Sequence, residues 1–291
     1  ELSQIKFPKP VIIGTSKNFN EFFNYALEIA ALKRVKSTVD AIEGDAIAKK
    51  ELNGRLTAYQ NLLFNSLYLN FENADWTFNK NKVKENNLSS IASLISNEVF
   101  KLTPIIHNEL VVRDRLSSMS MNGATILLNR VFNNSNLKNL GMEGNPSEFG
   151  IYLSLIKSNN LHIKKGDEFV ISIENTKNKS IKTIYDEFLK LIKGSKEAVN
   201  VSDIYAHFVK QPYGIKIGLL PILVGIFFKA TEASCAFYNK DEQGRESLIT
   251  EFDQRVAERL YHMPETLKIM FVKIEGEKQI ILDEFKSYVE K

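Results

Sequence analysis

Apolar residues recur at helical spacing through most of the chain. Phe22, Ala26, Ile29 and Ala30 predict a helix over residues 19–36, with Asn18 or Asn20 as its cap. Gly44 and Asp45 open a second pattern, in which Leu52, Leu56, Tyr59, Leu63 and Leu67 form one stripe over residues 46–71. Two long helices with a short connection are expected to pack antiparallel, leaving a solvated outer face of Lys and Glu. Residues 72–87 read as a loop or strand in which Trp76 plugs the helical pair. Further helices are predicted over residues 89–101, capped by Ser89 or Ser90 and stopped by Pro104, and over 115–132. In the latter Leu116, Met119, Ala124, Leu127, Leu128 and Val131 are available for burial. Another begins near Pro146, because a proline suits the first turn, and carries Tyr152, Leu155 and Ile156.

The pattern changes character after Asn159. Phe169, Ile171 and Ile173 alternate with polar residues as in a strand. Helices are predicted over residues 181–193, 202–210 and 214–230, followed by a hairpin whose arms, 235–239 and 246–249, flank the polar turn 240–245. Three helices and then a two-stranded hairpin is the element order of a winged helix. Further helices are expected over 251–261 and 278–288, and residues 5–13, with Pro8 and Pro10, read as an extended lead-in. The fold class expected is mainly α with small β: a helical domain over 1–160, then a winged-helix-like domain over 161–291 with a C-terminal helix.

The run Ile215 to Ala230 (IKIGLLPILVGIFFKA) is interrupted by Pro221 and bounded by Lys216 and Lys229. It is shorter than the roughly 20 apolar residues a bilayer requires, so it reads as a buried core helix, with no membrane partner. In a winged helix this third helix normally enters the DNA major groove with polar and basic side chains. Here it is nearly all apolar, and a helix apolar on every side is buried. Protein contact is therefore favoured over DNA contact.

Composition adds limits. The 291 residues are 44% hydrophobic and 25% charged, ordinary globular values, with 38 basic against 35 acidic side chains. That balance neither demands nor excludes a nucleic acid. A single cysteine, Cys235, rules out an internal disulfide and a thiolate zinc site, which fits a reducing cytoplasm. The chain opens on Glu1 without a signal segment, which suggests a piece of a longer protein.

Motifs that carry chemistry are sparse. Gly14-Thr15-Ser16-Lys17, after Val11-Ile12-Ile13, is the nearest approach to a phosphate-binding loop, and it lacks the earlier glycine and the Lys-Ser/Thr ending. His107, His162, His207 and His262 are far apart, with no metal-ligand spacing. Cys235 reads as an inert buried thiol. Asp241–Glu242 and Asp283–Glu284 are adjacent pairs that do not face one another on a helix. No catalytic residue, metal ligand or cofactor is assigned. Arg113 and Arg115 precede a helix and either meet phosphate or pair with Glu109 and Asp114. Gly141 and Gly144 supply unusual backbone angles at a tight helix entry. The weak candidates for contact with a partner or nucleic acid are Arg113, Arg115, Lys210, Lys216, Lys240 and Arg245.

Four segments in a fixed order carry a resemblance. They are residues 45–52 (DAIAKKEL), 103–110 (TPIIHNEL) with Arg113 and Leu116-Ser117-Ser118, 140–146 (LGMEGNP) with Tyr152, and 212–216 (PYGIK) leading to 220–223 (LPIL). The series, across roughly residues 40–265, is similar to the region beyond the nucleotide-binding core in large bacterial P-loop ATPases of anti-phage and DNA-modification-dependent restriction systems. The resemblance implies a non-catalytic arm, with the ATP site upstream, that relays nucleotide state to other subunits of a defence complex or to double-stranded DNA. It transfers no catalytic residue. The expected function is an interaction and regulatory region of such an ATPase. The alternatives are a stand-alone DNA-binding winged-helix module, working through Lys240, Arg245, Lys210 and Lys216, and an enzyme whose residues are scattered in the sequence.

Overall fold

A computed structural model describes residues 10–85 and 87–272, and the helix expected over 278–288, the Asp283–Glu284 pair and the first part of the lead-in lie outside them. The described chain is mainly α with small β. It divides into two compact units, Glu1–Val99 and Phe100–Lys291. No helix among the described residues is long and apolar enough to cross a membrane.

In the first unit, β1 (Ile12–Thr15) leads into α1 (Phe19–Thr38), the short α2 (Asp40–Gly44) and α3 (Ala46–Glu72). Asp45 starts α3 by accepting hydrogen bonds from the amides of Ile47 and Ala48 at 2.8 and 3.1 Å, which satisfies two of the donors a helix start leaves free. Asn18 caps α1 without a side-chain hydrogen bond. The two long helices are antiparallel: Asn18 meets Asn70, Tyr25 meets Tyr59, and Lys36 meets Asn53. Strands β2 (Asp75–Phe78) and β3 (Asn81–Lys82) join β1 in an antiparallel sheet, followed by α4 (Leu88–Val99). Gly14 lies opposite Trp76 in that sheet, and a Cβ at Gly14 would stand 2.7 Å from the indole ring. The glycine is thus explained by cross-strand packing. Trp76 is buried and meets Phe71 edge-on at 5.0 Å, at the end of the helical pair. One expectation fails here. The outer face of the pair is not a lysine and glutamate surface, because Leu62, Phe64, Leu67, Tyr68 and Leu69 are all exposed on it.

The second unit is built on α5 (Ser118–Asn133), α6 (Phe149–Ile151), which runs on as a π-helical turn (Tyr152–Lys157), and the hairpin β4 (His162–Lys165) and β5 (Glu168–Ile171). Then come α7 (Lys179–Gly194), β6 (Val199–Asn200), α8 (Val201–Val209), α9 (Leu220–Thr231), β7 (Cys235–Lys240), β8 (Glu246–Leu248), α10 (Gln254–His262) and β9 (Leu267–Phe271). The last sheet has the antiparallel order β6-β9-β7-β8.

Helix α9 is the hub. Every residue from Leu220 to Phe228 is buried. Phe227 packs on Tyr185 and Phe188 of α7 at 5.4 and 5.7 Å, and Phe228 packs on Phe132 of α5 and Phe237 of β7 at 5.9 and 4.9 Å. Pro221 occupies the first turn, where its missing amide costs nothing. This burial corrects the expected division near residue 160. Helix α5 lies before that point, yet Ala124, Leu127, Leu128 and Val131 belong to the same core as α7, α9 and β9. Periodicity identifies which residues are apolar, but not which distant element they are buried against.

Local readings shift as well. Met119 is 79% exposed, so it is not part of the buried stripe of α5. The helix expected near Pro146 begins at Phe149, after a turn in which the Phe149 amide donates to the Pro146 carbonyl at 3.0 Å. Gly141 and Gly144 take positive φ, +67° and +66°, which glycine adopts without a Cβ penalty. Asn139 and Leu140 precede them in the same left-handed region, and Leu140 is held there by complete burial.

Candidate interaction surface

Residues 103–117 form no helix or strand, yet they are tied to the stretch 212–218 by backbone bonds. The Leu102 amide donates to Pro212 O at 3.1 Å and the Gly218 amide to Arg113 O at 2.9 Å, while the Thr103 hydroxyl donates to Tyr213 O. Within the loop, Asn108 accepts from the Leu110 amide at 2.8 Å, and its own side-chain amide donates to Ser154 Oγ at 2.7 Å. Asparagine is suited to this, since its short amide replaces a backbone partner in a turn. Gly218 is required by proximity: a Cβ there would lie 2.6 Å from Arg113 O and 2.9 Å from Val111 O.

This clamped loop exposes large apolar side chains, Ile105, Leu110 and, at its end, Met119, with Ile217 exposed on the clamping stretch. Cations accompany them. Arg113 and Arg115 are exposed on the loop and Lys216 on the clamp. Arg113 lies 3.8 Å from Glu109 and Lys216 lies 2.8 Å from Asp114, whereas Arg115 forms no ion pair among the described residues. All these pairs are exposed, so they contribute at most about 1 kcal/mol each and remain free to exchange for a partner's charges. A shallow hollow of about 460 Å³ sits in the same loop, lined by Ile106, His107, Asn108, Glu109, Val112 and Arg113.

The other sequence candidates lie elsewhere. Lys210 is exposed just after α8. Lys240 and Arg245 flank the β7–β8 turn, where Asp241 holds Arg245 at 2.8 Å and also accepts from the Gln243 and Arg245 amides. Arg245 accordingly holds the Asp241 carboxyl below its usual range. Lys268 on β9 pairs with Glu246. Arg259 of α10 donates to Asn239 and to Thr266, fastening α10 to β7 and to the turn before β9. Arg113, Arg115 and Lys216 thus form one group and Lys240 and Arg245 another.

Titratable groups that reasoning from sequence left unassigned serve the core. His162 is buried between Tyr152 Oη, 3.0 Å from Nδ1, and Ser135 O, 2.9 Å from Nε2. A carbonyl only accepts, so Nε2 carries the proton and Nδ1 accepts from the phenol. Burial lowers the His162 pKa and raises that of Tyr152. Glu148, 3% exposed, accepts from Arg130 Nε at 2.9 Å. His207 Nε2 lies 3.3 Å from Glu187 without hydrogen-bond alignment. Burial raises the Cys235 pKa, against smaller opposing effects from Thr231 and Lys193, so the thiol is a poor nucleophile at neutral pH. Among the described residues no group of three or more His, Cys, Asp and Glu is placed to hold a metal ion.

Sequence reasoning found the cations of the loop but missed its exposed apolar residues. The available signal was Leu110 and Ile105 lying in a non-periodic, proline-containing stretch, where no helix or strand face accounts for them. No family model, curated protein or solved structure matches the chain.

Proposed function

We propose that the chain is a non-catalytic interaction and regulatory region of a bacterial anti-phage defence ATPase, docking a partner protein through the loop 103–119 and its clamp 212–218. The observation that carries this reading is a loop without regular structure, fixed by backbone hydrogen bonds, that presents Ile105 and Leu110 to solvent beside Met119 in the first turn of α5, among Arg113, Arg115 and Lys216. Ordering such a loop costs conformational entropy, which a preorganised docking surface recovers on binding. Three of the four segments that carry the resemblance, residues 103–118, 140–152 and 212–223, contribute to one core through Ile106, Val111, Leu140, Tyr152, Tyr213 and Leu223, and the other, 45–52, belongs to the first unit.

Two measurements test the proposal. ATP hydrolysis by the chain alone is expected to match a buffer blank, and robust turnover would overturn the non-catalytic reading. Ile105→Asp with Met119→Asp is expected to abolish phage restriction by the complete system while the purified chain keeps its helical circular dichroism. Undiminished restriction would remove the docking role.

A second reading is a winged-helix-like module that contacts DNA. It is favoured by the element order, in which the helices α7, α8 and α9 precede the β7–β8 hairpin of the β6-β9-β7-β8 sheet. Burial of α9 removes the helix that usually reads the major groove, leaving Lys240 and Arg245 at the hairpin tip as phosphate contacts. Duplex affinity that falls steeply with salt would favour this reading over the first, through counterion release.

A further inference from the structure

We propose that the α1–α3 hairpin is a self-association surface on which a second copy of this chain packs, the two hairpins forming an antiparallel four-helix bundle. The inference stands on the first unit alone and does not rest on the ATPase reading.

Helix α3 has two unlike halves. Its first half carries Lys49, Lys50, Glu51 and Arg55. From Leu56 to Phe71 it has no charged residue at all. In that stretch Leu56 and Ser66 are buried and Tyr59 and Leu63 half-buried, with Tyr59 against Tyr25 of α1, whereas Leu62, Phe64, Leu67, Tyr68, Leu69 and Phe71 are exposed, Phe64 at 68%. The exposed apolar residues share this half with the uncharged Gln60, Asn61 and Asn65, and α1 covers only one side of it. The start of α1 lies beside it, through Asn18 and Asn70, and adds Phe19, Phe23 and Leu27 at a four-residue spacing. Glu21 and Glu28, seven residues apart, share a different side of α1.

Area sets the scale. Nine large apolar side chains at this end, in 19–27 and 62–71, are between 43% and 68% exposed. At about 100 Å² each they amount to roughly 900 Å². The largest apolar patch on an ordinary monomer is about 300–600 Å². A stable interface removes about 800 Å² from each partner. Leu62 and Leu69 fall on the opposite side of α3 from Phe64, Leu67 and Phe71. The other seven, about 700 Å², remain for one side, above an ordinary free patch and close to one partner's share of an interface.

Symmetry selects the occupant. In a two-fold contact the residues beside the axis face their own copies, so a charge at that place would meet its like. The stretch Leu56 to Phe71 of α3, free of charge, satisfies this condition. A hairpin also supplies two of the four helices a bundle needs, and a second copy supplies the others with matching length and crossing geometry. A lipid surface fits less well, because interfacial helices carry Lys and Arg on their polar face and this half of α3 has none.

Sedimentation velocity of the full 291-residue chain from 1 to 100 µM tests the proposal. The wild type is expected to be a dimer, and Phe64→Glu with Leu67→Glu to raise the dissociation constant at least 100-fold. Both positions are more than half exposed, so helical circular dichroism should be unchanged. Should that pair unfold, Phe19→Glu on α1 probes the same patch alone. Ile47→Glu, at the charged end of α3, is expected to leave the dimer intact. A monomer at 100 µM, a dimer indifferent to these patch variants, equal weakening by Ile47→Glu, or a monomer that co-floats with phosphatidylcholine vesicles would each overturn it. A monomeric chain leaves the ATPase-arm proposal standing, and ATP turnover leaves the dimer standing, so the two readings fail separately.

Discussion

Replacing Gly218 with alanine tests whether the loop 103–117 is held by the backbone clamp or by the ion pairs beside it. The added Cβ would lie 2.6 Å from Arg113 O and 2.9 Å from Val111 O, both main-chain atoms that cannot swing aside as a flexible side chain can. Relief requires the two segments to separate, which stretches the 2.9 Å bond from the Gly218 amide to Arg113 O. It also strains the 3.2 Å bond from the Tyr261 hydroxyl to Gly218 O. Overpacking costs about 1–3 kcal/mol and a weakened hydrogen bond about 1 kcal/mol, so a loss of roughly 2–4 kcal/mol is expected. With a urea dependence of about 2 kcal/mol per molar, the unfolding midpoint should fall by about 1–2 M. Hydrogen exchange should show the Gly218 and Val112 amides losing protection together. The contrast is Lys216→Met, which removes the exposed pair with Asp114 and is expected to cost at most about 1 kcal/mol. A Gly218→Ala change below about 0.5 kcal/mol, with the Gly218 amide still protected, would refute the clamp.

Other expectations follow from buried polar groups and from one open glycine. Arg130→Met leaves Glu148 buried without its cation and should destabilise by about 3–5 kcal/mol in urea unfolding, more than the double variant that adds Glu148→Gln. His162 has a folded pKa depressed by burial, while the unfolded chain titrates near 6.5. As pH falls from about 6.5 towards the folded pKa, the unfolded state takes up a proton that the folded state refuses, so stability is lost over that window and level above it. His162→Gln should flatten that slope when denaturation midpoints are compared across the window. Gly54, inside α3 with nothing within 4 Å of an added Cβ, should accept alanine with a gain of about 0.5–1 kcal/mol, read as a higher denaturation midpoint.

Much of the helical content was legible because period 3.6 survives in single segments. The long helices α1 and α3, the sequence α7, α8, α9 and the β7–β8 hairpin all announce themselves by apolar spacing and by Asn, Asp and Pro at their ends. Strands β6 and β9 do not. Val199–Asn200 and Leu267–Phe271 are short and pair with each other across about 70 residues, a relation no local pattern records. The first boundary was misplaced for the same reason, since α5 is indistinguishable in sequence from a helix of the N-terminal unit until Phe132 is found stacked between Phe228 and Phe252. Of the candidate surface, the cations were visible and the exposure was not. Met119 has the spacing of a core residue, yet it lies in the first turn of α5 and is exposed, which spacing alone does not record.

The burial of α9 links these observations. Phe227 and Phe228 turn to different neighbours, one towards α7 and the other towards α5 and β7, so the helix has no free side on which to seat a nucleic acid. The surface that α9 does control is indirect. Its N-terminal end follows from Gly218 and Leu219, and the Gly218 amide is what fixes Arg113 and the exposed loop. A displacement of α9 along its axis would therefore act on the loop through this bond and on the hairpin through Phe228 against Phe237, so both candidate contact regions answer to the one buried helix.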